Sequence, residues 1–444
     1  MDALPRRNIV IIGGGVIGCT TAYFLTRHPA FNPALHRITL LEATSIAAGA
    51  SGKAGGLLAL WAYPDCLVPL SFRLHRELAD EHGGADRWGY RRLGCGSLGA
   101  VVQMADLEPP KPEAPNGASD ALPIQSSTLD SPVQNGEDKD WEKLPKQDEK
   151  AAGLLKESPL PADLDWVNGE LIEFYEEMGK PGFTDTAQVH PYFFTNALAE
   201  LAREKGVDIR IGAKVTKINH SKAGGVQSIE YEDRETSQSH TMGDVTDVVV
   251  TAGPWTGRLL PRTRVEGLRA HSVVFEADVS PYAIFTDIQL PNDYVPEHRA
   301  RLGQKRKHRG NVDPEIYARP KNEVYACGEP DSTIPLPETA DLVQCDEAQC
   351  DDLIAYIGTV SPVLGAAPIK AKQACYLPRH MRFGEERGPL IGQTGVRGIW
   401  VAAGHTCWGI QNGPATGYLM AELLLEGKAK SANIDKLDPK KFKV

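Results

Sequence analysis

Three glycines near the start of the chain form a pattern that can hold a diphosphate. The stretch "IVIIGGGVIGCTTAYFL" spans residues 9–25, and its apolar run leads into Gly13-x-Gly15-x-x-Gly18 and then into a helix-like segment. Gly13 permits a tight turn, Gly15 lets the backbone approach the ligand, and Gly18 lets the helix pack on the strand. The free N–H groups and the positive end of that helix then face the anion. In this strand, turn and helix context the pattern predicts a dinucleotide-binding turn.

An acidic residue follows at the end of the next predicted strand. The strand "RITLLEA" reaches Glu42, whose carboxylate is placed to accept hydrogen bonds from the hydroxyls of an adenosine ribose. Its separation from the glycines exceeds the usual ~20 residues, and the loop "RHPAFNPALH" takes up the difference. Glu42 therefore completes a predicted unit for the adenylate half of a dinucleotide.

Three more stretches, far apart in the chain, offer glycine and other small residues to a ligand. They are "SIAAGASGKAGGLLA" at 45–59, "DVVVTAGPWT" at 247–256 and "GIWVAAGHTCWGIQNGPATGYLMAELLLEG" at 398–427. A nicotinamide cofactor binds a single nucleotide domain and leaves after each turnover, whereas a flavin dinucleotide needs support along its adenine, pyrophosphate and isoalloxazine parts. The four segments together therefore favour FAD. A nicotinamide-linked dehydrogenase would need a second nucleotide fold, which the sequence does not indicate.

Bulk properties exclude several other classes of protein. With 444 residues the chain exceeds the size of one hydrophobic core, so two domains are expected. The net charge of -10 offers no attraction to nucleic acid or to an anionic membrane, and no window of about twenty apolar residues is free of glycine or charge. The first strand starts near residue 8, which leaves no room for a signal peptide, and the final "KKFKV" is not a peroxisomal signal. We therefore expect a cytoplasmic protein that neither binds nucleic acid nor inserts into a membrane.

The eight cysteines are scattered along the chain and are expected to be reduced. Cys345 and Cys350 are the closest pair, but no second Cys or His pair with zinc-like spacing accompanies them, so no metal site is expected. Lys53 follows a glycine but precedes Ala54 in place of Ser or Thr, which excludes the phosphate loop of an NTPase. No serine stands in a G-x-S-x-G elbow.

The order of the elements predicts an α/β fold with a discontinuous nucleotide-binding domain. A helical pattern precedes the strands "VDIRI" and "AKVTKI", whereas "SVVFEAD", "EIYARP" and "EVYACGE" suggest an antiparallel sheet between about 265 and 380. Residues 105–163 are rich in Pro, Ser, Asp and Glu and are expected to form a mobile surface insertion. The predicted boundaries are 1–95, 185–262 and 385–430 for the nucleotide domain, 96–104, 164–184 and 263–384 for the second domain, and 431–444 for a solvated tail.

These segments, in this order, resemble the D-amino acid oxidase family of FAD enzymes, which includes glycine oxidase and sarcosine oxidase, and its fungal members in particular. The resemblance covers nearly everything outside 105–163. It implies an FAD-binding Rossmann-like domain of the glutathione reductase type and a second α+β substrate domain built on an antiparallel sheet. It also implies removal of hydride from a carbon that bears an amine, hydrolysis of the resulting imine, and reoxidation of the flavin, usually by oxygen.

The same resemblance assigns cofactor contacts along the chain. Gly13, Gly15 and Gly18 would hold the pyrophosphate, Glu42 would hold the ribose, and Val215 would offer main-chain groups to the adenine. Further residues would lie along the pyrophosphate, the ribityl chain and the flavin ring, namely Val16, Ile17, Ala43, Thr44, Ser45, Ser51, Gly52, Lys53, Gly55, Gly56, Leu57, Ala252, Gly253, Trp255, Gly404, His405, Trp408, Gly409 and Ile410. Backbone donors of the last segment would stabilise charge on the reduced ring.

The sequence departs from the family at the substrate anchor. Glycine oxidase-like members have an arginine before the proline of the segment that matches "QACYLPRH", and it clamps the substrate carboxylate; in this chain Leu377 stands there. Each hydrogen bond of such a pair is worth ~1.5 to 3 kcal/mol, so its loss would forfeit much of the affinity for an ordinary amino acid. Arg379 or Arg319 is the candidate replacement, from a shifted position.

Several other residues are candidates for roles beside the flavin, each with a plainer alternative. Cys375 in "ACY" resembles the cysteine that links flavin covalently in sarcosine oxidase-like relatives, but a buried free thiol beside non-covalent FAD is favoured. His405 either acts as a base or oxyanion donor or fixes its loop by hydrogen bonding, and Lys53 either faces the ring, where it would favour an anionic flavin, or faces solvent. No proton-abstracting residue stands out. Three aromatic residues either wall a substrate pocket or belong to the core, namely Trp61, Tyr63 and Trp408.

We therefore predict an FAD-dependent oxidase or dehydrogenase that acts on a C–N bond of a small amine or modified amino acid, with His405, Lys53, Trp408 and Arg379 as candidate catalytic residues. The alternative is a flavoprotein whose FAD is structural and whose role lies in interaction or trafficking, with 105–163 as the segment that docks a protein partner. The missing arginine favours the second hypothesis, whereas a polar cavity over the flavin would favour the first.

Overall fold

The computed structural model describes residues 6–107, 159–180, 184–221, 224–308 and 310–444, so most of the predicted insertion at 105–163 lies outside the described residues. The strands of the described part are β1 (Arg7–Ile12), β2 (His36–Glu42), β3 (Leu57–Ala59), β4 (Arg91–Arg92), β5 (Gly94–Val101), β6 (Ile172–Glu177), β7 (Thr186–Gln188), β8 (Asp208–Ile211), β9 (Ala213–Ser221), β10 (Gly225–Asp233), β11 (Gln238–Met242), β12 (Asp247–Val250), β13 (Val265–Glu276), β14 (Tyr282–Gln289), β15 (Glu315–Arg319), β16 (Glu323–Cys327), β17 (Ile369–Arg382), β18 (Glu385–Arg387), β19 (Leu390–Gln393) and β20 (Ile399–Ala403). The helices are α1 (Val16–Arg27), α2 (Val68–His82), α3 (Gly84–Trp88), α4 (Pro191–Glu204), α5 (Thr256–Leu259), α6 (Glu297–Ala300), α7 (Glu347–Val360), α8 (Pro362–Gly365) and α9 (Gly409–Glu426). Within these ranges no helix has the length and apolar character needed to cross a bilayer.

A six-stranded sheet with the order β19, β20, β12, β1, β2, β8 forms the first part of the fold. β1 pairs in parallel with β12 and β2, and β20 and β8 extend the parallel arrangement, whereas β19 is antiparallel. All four residues of β12 and the last four of β1 are buried, which explains their continuous apolar runs. Because parallel strands end at the same edge of the sheet, the glycine turn after β1 lies beside the ends of β2 and β12.

Different layers cover the two faces of this sheet. Ile9 and Ile11 of β1 pack into a core formed with α1, α2, α4 and α9, whereas the alternating Val10 and Ile12 pack with residues of the three-stranded sheet of β9, β10 and β11. α1 and α9 approach each other closely at glycine, since a Cβ at Gly417 would lie 2.5 Å from the carbonyl carbon of Thr20. The relative position of these two helices is therefore fixed by backbone contact.

An eight-stranded sheet with the order β18, β17, β13, β16, β15, β14, β5, β6 forms the second part. Its neighbouring strands are antiparallel except for β14 and β5, which are parallel. α7 packs on one face, where Leu353 and Ile357 join Val273 and Phe275 in a buried cluster. The α/β fold class with a second antiparallel sheet is confirmed, and the three strands suggested between about 265 and 380 are parts of β13, β15 and β16.

Residues 431–444 correct one expectation. They were predicted to be a solvated tail, but Ile434 and Leu437 are buried, and the backbone N–H of Gly395 donates to the carbonyl of Val444 at 2.7 Å. The prediction was wrong because it weighed the lysines of this segment and neglected the apolar residues between them, which cover the edge strand β19.

The division into two domains stays a prediction, and two strands of the eight-stranded sheet depart from it: β18, and β5, whose first two residues fall in the range 1–95. The six strands of the first sheet all lie in ranges predicted for the nucleotide domain, and β13 to β17 lie in the range predicted for the second domain. β18 at Glu385–Arg387 was placed with the nucleotide domain, but it pairs with β17 and so extends the eight-stranded sheet.

Candidate functional site

Packing requires glycine at two positions of the turn after β1. The third position is open to a ligand. Gly13 has a φ of +110°, and a Cβ there would lie 2.6 Å from the carbonyl oxygen of Thr251. A Cβ at Gly18 would lie 2.0 Å from the carbonyl oxygen of Gly13. At Gly15 the nearest atom would be Oγ of Ser51 at 3.1 Å, and this residue lines a cavity. Gly15 is therefore the glycine whose bare backbone a bound ligand can approach.

Two side chains fix the start of α1. The Ser51 Oγ accepts a hydrogen bond from the N–H of Val16 at 2.9 Å. The Glu42 carboxylate accepts the N–H of Gly14 at 2.7 Å on one oxygen and the N–H of Thr44 at 2.8 Å on the other. Since the first turn of α1 holds no acidic residue, its positive end is available to an external anion.

A cavity of about 590 Å³ joins this turn to the second sheet, a volume within the usual range for cofactor sites. The first part of the fold lines it with residues 12–13, 15–17, 41–43, 48–51, 53–57, 213–216, 251–255, 258–259 and 402–410. The second part lines it with Ala270, Phe285, Glu315, Tyr317, Tyr325, Cys327, Gly328, Pro330, Glu338, Thr339, Ala340, Cys375, Leu377 and Pro378. The starts of both α1 and α9 border the cavity, which suits a long ligand with anionic character at both ends.

Most of the predicted cofactor residues line this cavity, namely Gly13, Gly15, Val16, Ile17, Glu42, Ala43, Ser51, Lys53, Gly55, Gly56, Leu57, Val215, Ala252, Gly253, Trp255, Gly404, His405, Trp408, Gly409 and Ile410. Four predicted residues are not among its lining residues, namely Gly18, Thr44, Ser45 and Gly52. Gly52, like Gly18, permits close packing, since a Cβ there would lie 2.2 Å from the carbonyl oxygen of Ala47. Thr44 acts through the Glu42 carboxylate, to which its backbone N–H and hydroxyl both donate.

The imidazole of His405 lies beside the start of α9 and is neutral. Burial lowers its pKa from 6.5 to about 3. Its Nε2 lies 3.0 Å from Oγ1 of Thr416, whose own proton is donated to the carbonyl of Asn412 at 2.8 Å, so Nε2 of His405 carries the proton that it donates. This bond fixes the loop at 404–408, which is the plainer of the two roles predicted for His405.

Lys53 and Cys375 meet on the cavity wall. The Lys53 Nζ donates to the carbonyl of Ala374 at 2.9 Å. Burial raises the pKa of the Cys375 thiol to about 11, and the charge of Lys53 opposes this rise, so the thiol is neutral at physiological pH. All eight cysteines lie in the described ranges and are free, and within those ranges no three His, Cys, Asp or Glu side chains are grouped to hold a metal ion.

Neither arginine proposed as a substitute carboxylate anchor lines the cavity. The guanidinium of Arg379 pairs at 2.9 Å with Glu266, which stands opposite it on β13. Arg319 is buried, donates to the carbonyl of Ala54 at 3.0 Å and pairs with Glu323. The expectations for Arg379 and Arg319 are corrected accordingly, because both guanidinium groups are already bound to carboxylates of this chain.

The pairing of Arg319 belongs to a buried network that joins the two parts of the fold. Glu323 also accepts from Lys370 at 2.7 Å and from His190 at 3.1 Å. Burial alone would raise the pKa of Glu323, but the hydrogen bond from His190 and the charges of Arg319 and Lys370 hold it far below its ordinary value. The ionised Glu323 therefore fixes Arg319, and Arg319 fixes the glycine-rich segment through the carbonyl of Ala54.

Of the three predicted aromatic residues, Trp408 lines the cavity and the others support it. The ring of Trp408 makes edge contacts with Trp61 at 5.6 Å and with Tyr63 at 5.9 Å between centroids. Trp61 in turn contacts Phe285 of β14 at 6.0 Å. The aromatic contacts therefore run from the start of α9 to the second sheet.

The structure adds a polar group that the sequence did not indicate. The carboxylate of Glu315, at the start of β15, accepts a hydrogen bond from the hydroxyl of Tyr317 and lies 3.8 Å from the Sγ of Cys327. Burial raises the pKa of Glu315 above its ordinary value. The Tyr317 ring stacks on that of Tyr325 with 5.9 Å between centroids. A Cβ at Gly55 would lie 2.0 Å from the Tyr317 ring. Two stacked tyrosines thus pack against the glycine-rich segment, and the half-buried carboxyl group of Glu315 lies beside them on the cavity wall.

Comparisons with known proteins agree on the class of this fold. A family model described as FAD dependent oxidoreductase (DAO) matches residues 8–423. Two fungal relatives bear the name "putative oxidoreductase": TDA3 of Saccharomyces cerevisiae is 38% identical, over 98% of this chain and 95% of its own, and a Schizosaccharomyces pombe protein is 32% identical over 98% of both chains. The crystal structure of glycine oxidase from Geobacillus kaustophilus is similar with a TM-score of 0.63, 20% identity and 98% coverage of both chains.

Substitution of Gly15 tests whether a ligand approaches the backbone there. Gly15→Ala is expected to weaken FAD binding about tenfold, equivalent to about 1.4 kcal/mol, because the added methyl group occupies the ligand's side of the turn, where its nearest protein neighbour is the Oγ of Ser51 at 3.1 Å. The dissociation constant for FAD is measured by quenching of flavin fluorescence on addition to apoprotein. The control is Gly243→Ala, where a Cβ meets no atom within 4 Å. Equal affinities of the two variants would contradict the assignment.

Burial of neutral His405 predicts sensitivity to acid. Because its pKa in the folded protein lies below that of the unfolded chain, protonation favours the unfolded chain, and stability falls as the pH drops below about 6.5 towards 3. Between about pH 7 and about pH 5, the free energy of unfolding of the wild type should therefore fall by about 2 kcal/mol more than that of His405→Gln. Urea denaturation with excess FAD at both pH values measures the difference. The exposed His220→Gln should behave as the wild type, and an equal loss in His405→Gln would overturn the prediction.

Proposed function

The chain belongs to the family of FAD dependent oxidoreductases, and we propose that it oxidises a C–N bond of a small amine or modified amino acid. When bound, FAD supplies the acceptor for a hydride from the carbon next to nitrogen. The observation that carries this proposal is the cavity that runs from the bare backbone at Gly15 to an aromatic and carboxyl-bearing wall on the second sheet. That wall would offer aromatic rings and a carboxyl group to a substrate beside the cofactor.

The cofactor contacts of the proposal follow the cavity from end to end. Glu42, oriented by two backbone N–H groups, would hold the ribose, and the start of α1 would hold the pyrophosphate. The backbone of Val215 would meet the adenine. Residues 404–410, fixed by the bond from His405 to Thr416, would support the pyrimidine edge of the flavin with backbone donors at the start of α9.

We propose that FAD is held without a covalent bond. Attachment through Cys375 would require its thiolate as the nucleophile, and burial keeps the pKa of this thiol at about 11. Oxygen as the electron acceptor and a cytoplasmic location remain parts of the proposal. The alternative of an interaction or trafficking factor, which the missing arginine favours, gains no support from an oxidoreductase family. Most of its docking segment at 105–163 lies outside the described residues.

Anaerobic titration of the yellow holoprotein tests the function. A panel of primary amines, N-methyl amines and amino acids is added in turn, and at least one is expected to bleach the flavin band near ~450 nm, because hydride transfer reduces the ring. Dithionite provides the control for full reduction. A holoprotein that dithionite bleaches and that no member of the panel reduces would contradict the proposal.

Leu377 offers a test of the missing carboxylate anchor. This residue lines the cavity, so Leu377→Arg would place a guanidinium on the wall, where a two-pronged contact with a carboxylate is strong. The KM for N-methyl amino acids is expected to fall about tenfold while that for simple amines does not fall. Leu377→Met is the control for a change of shape without charge. A KM for amino acids that stays unchanged in Leu377→Arg would show that the position does not face the substrate.

A further inference from the structure

We propose that Glu315 anchors the positively charged nitrogen of the substrate, so that the cavity takes a cationic amine without an α-carboxylate. The bound ammonium group first gives one proton to the carboxylate of Glu315, which restores the lone pair on nitrogen. The neutral amine then gives hydride from the neighbouring carbon to FAD and leaves as the iminium ion. This inference rests on the proposed oxidation of an amine and specifies its substrate class. It gives Glu315 a role in substrate binding. Neither the glycine pattern nor the departure at Leu377 indicated this role.

The hydrogen bonds of Glu315 leave one of its oxygens open. Tyr317 and Cys327 both act on Oε2, and within the described ranges no hydrogen bond to Oε1 is found. Because Oε2 is fixed by the Tyr317 hydroxyl, the orientation of the whole carboxylate is fixed. Glu315 also lines the cavity, so the free oxygen is offered to a bound molecule.

Among the described residues, three carboxylates line the cavity, those of Glu42, Glu315 and Glu338, and Glu315 is the one with an open oxygen and no charged partner. Glu338 pairs with Lys214 and Arg258, and Glu42 accepts a backbone N–H on each of its two oxygens. In the part of the chain that the structure describes, no ion pair includes Glu315. Glu315 is half-buried, and a carboxylate partly removed from water without a countercharge is costly, so a substrate ammonium group would supply that charge.

The surroundings of Glu315 suit a cation in two further ways. Aromatic rings of Phe285, Tyr317, Tyr325 and Trp408 line the same cavity, and their faces attract cations. Arg319 and Arg379 do not line the cavity, and Arg258, which does, pairs with Glu338. Lys53 is the lysine of the glycine-rich wall, but its Nζ donates to the Ala374 carbonyl on β17.

The test uses a probe that carries the charge and cannot be oxidised. Benzyltrimethylammonium has no lone pair on nitrogen and no proton to lose, so its binding to the holoprotein is followed by the change in the flavin spectrum and by calorimetry. Benzoate, of similar size and opposite charge, is measured in parallel. Wild-type protein is expected to bind the cation at least about tenfold more tightly than benzoate at about pH 8.

Glu315→Gln removes the charge and keeps the shape of the side chain. It is expected to weaken binding of the cation about tenfold or more and to leave FAD bound. The matched control is Glu173→Gln, an exposed glutamate on β6 of the same sheet, which should bind the cation as the wild type does. Unchanged affinity in Glu315→Gln would overturn the inference.

The pH dependence of binding gives a second readout. The titratable groups that act on Glu315 are Tyr317 on its own strand, Cys327 on β16, Cys95 on β5, Cys407 in the loop before α9, and Asp313 in the segment before β15. Tyr325 on β16 stacks on Tyr317. Burial raises the pKa of these tyrosines and thiols, so they stay neutral between about pH 5 and about pH 8. The burial that raises the pKa of Glu315, with a smaller effect from the charge of Asp313, outweighs the hydrogen bonds from Tyr317 and Cys327.

Affinity for the quaternary cation should therefore fall as the pH drops through the raised pKa of Glu315, approaching tenfold per pH unit. Glu315→Gln should abolish this slope and Glu173→Gln should keep it. Tyr317→Phe removes a hydrogen bond that favours the ionised carboxylate, so the midpoint of its binding profile should move to higher pH. This variant serves as the test if Glu315→Gln does not fold. A wild-type profile without a slope, or a midpoint unchanged in Tyr317→Phe, would overturn the inference.

These outcomes separate the inference from the proposed function. A holoprotein that amines reduce, but whose cation binding is insensitive to Glu315, keeps the function and loses the anchor. A holoprotein that binds the cation through Glu315, but that no amine reduces, loses the proposed function, and with it the claim that the bound cation is a substrate.

Discussion

The structure depends on backbone meeting backbone at places where no side chain fits. Gly18 lies against the carbonyl of Gly13, and Gly13 lies against that of Thr251, so β1, α1 and the end of β12 form one closely packed corner. A methyl group at either glycine would push these elements apart and move the start of α1 from the sheet edge. The cavity exists because this corner brings the ends of three parallel strands and one helix together without filling the space in front of them.

The second wall of the cavity is held against the first by charge. Arg319 reaches from β15 to the carbonyl of Ala54 while it pairs with Glu323, and the ionised Glu323 is supported by His190 and Lys370. Since removing one member of a buried pair leaves an uncompensated charge, this network resists separation of the two sheets. It also explains why Arg319 is not available to a substrate: its guanidinium fixes the architecture of the wall that a substrate would touch.

The sequence predicted the cofactor side of the site better than the substrate side. The glycine turn and Glu42 follow from local order, because a strand, a tight turn and a helix are contiguous in the chain. Glu315 was missed because its neighbours come from β16, β5 and the loop before α9, and the register that pairs Glu315 with Cys327 cannot be read from "EIYARP" and "EVYACGE" alone. Arg379 failed for the same reason, since Glu266 stands opposite it only once β13 and β17 are paired.

The glycine contact between α1 and α9 has a consequence for which flavin the protein can retain. The starts of these helices border the cavity at two separate places, and the packing of Gly417 on Thr20 keeps their spacing constant. The two helix starts therefore set the distance between the two parts of a coenzyme that contact them. Riboflavin phosphate would reach both helix starts with its ring and its single phosphate, so preference for the dinucleotide would come from the adenosine end of the cavity, at Glu42 and Val215.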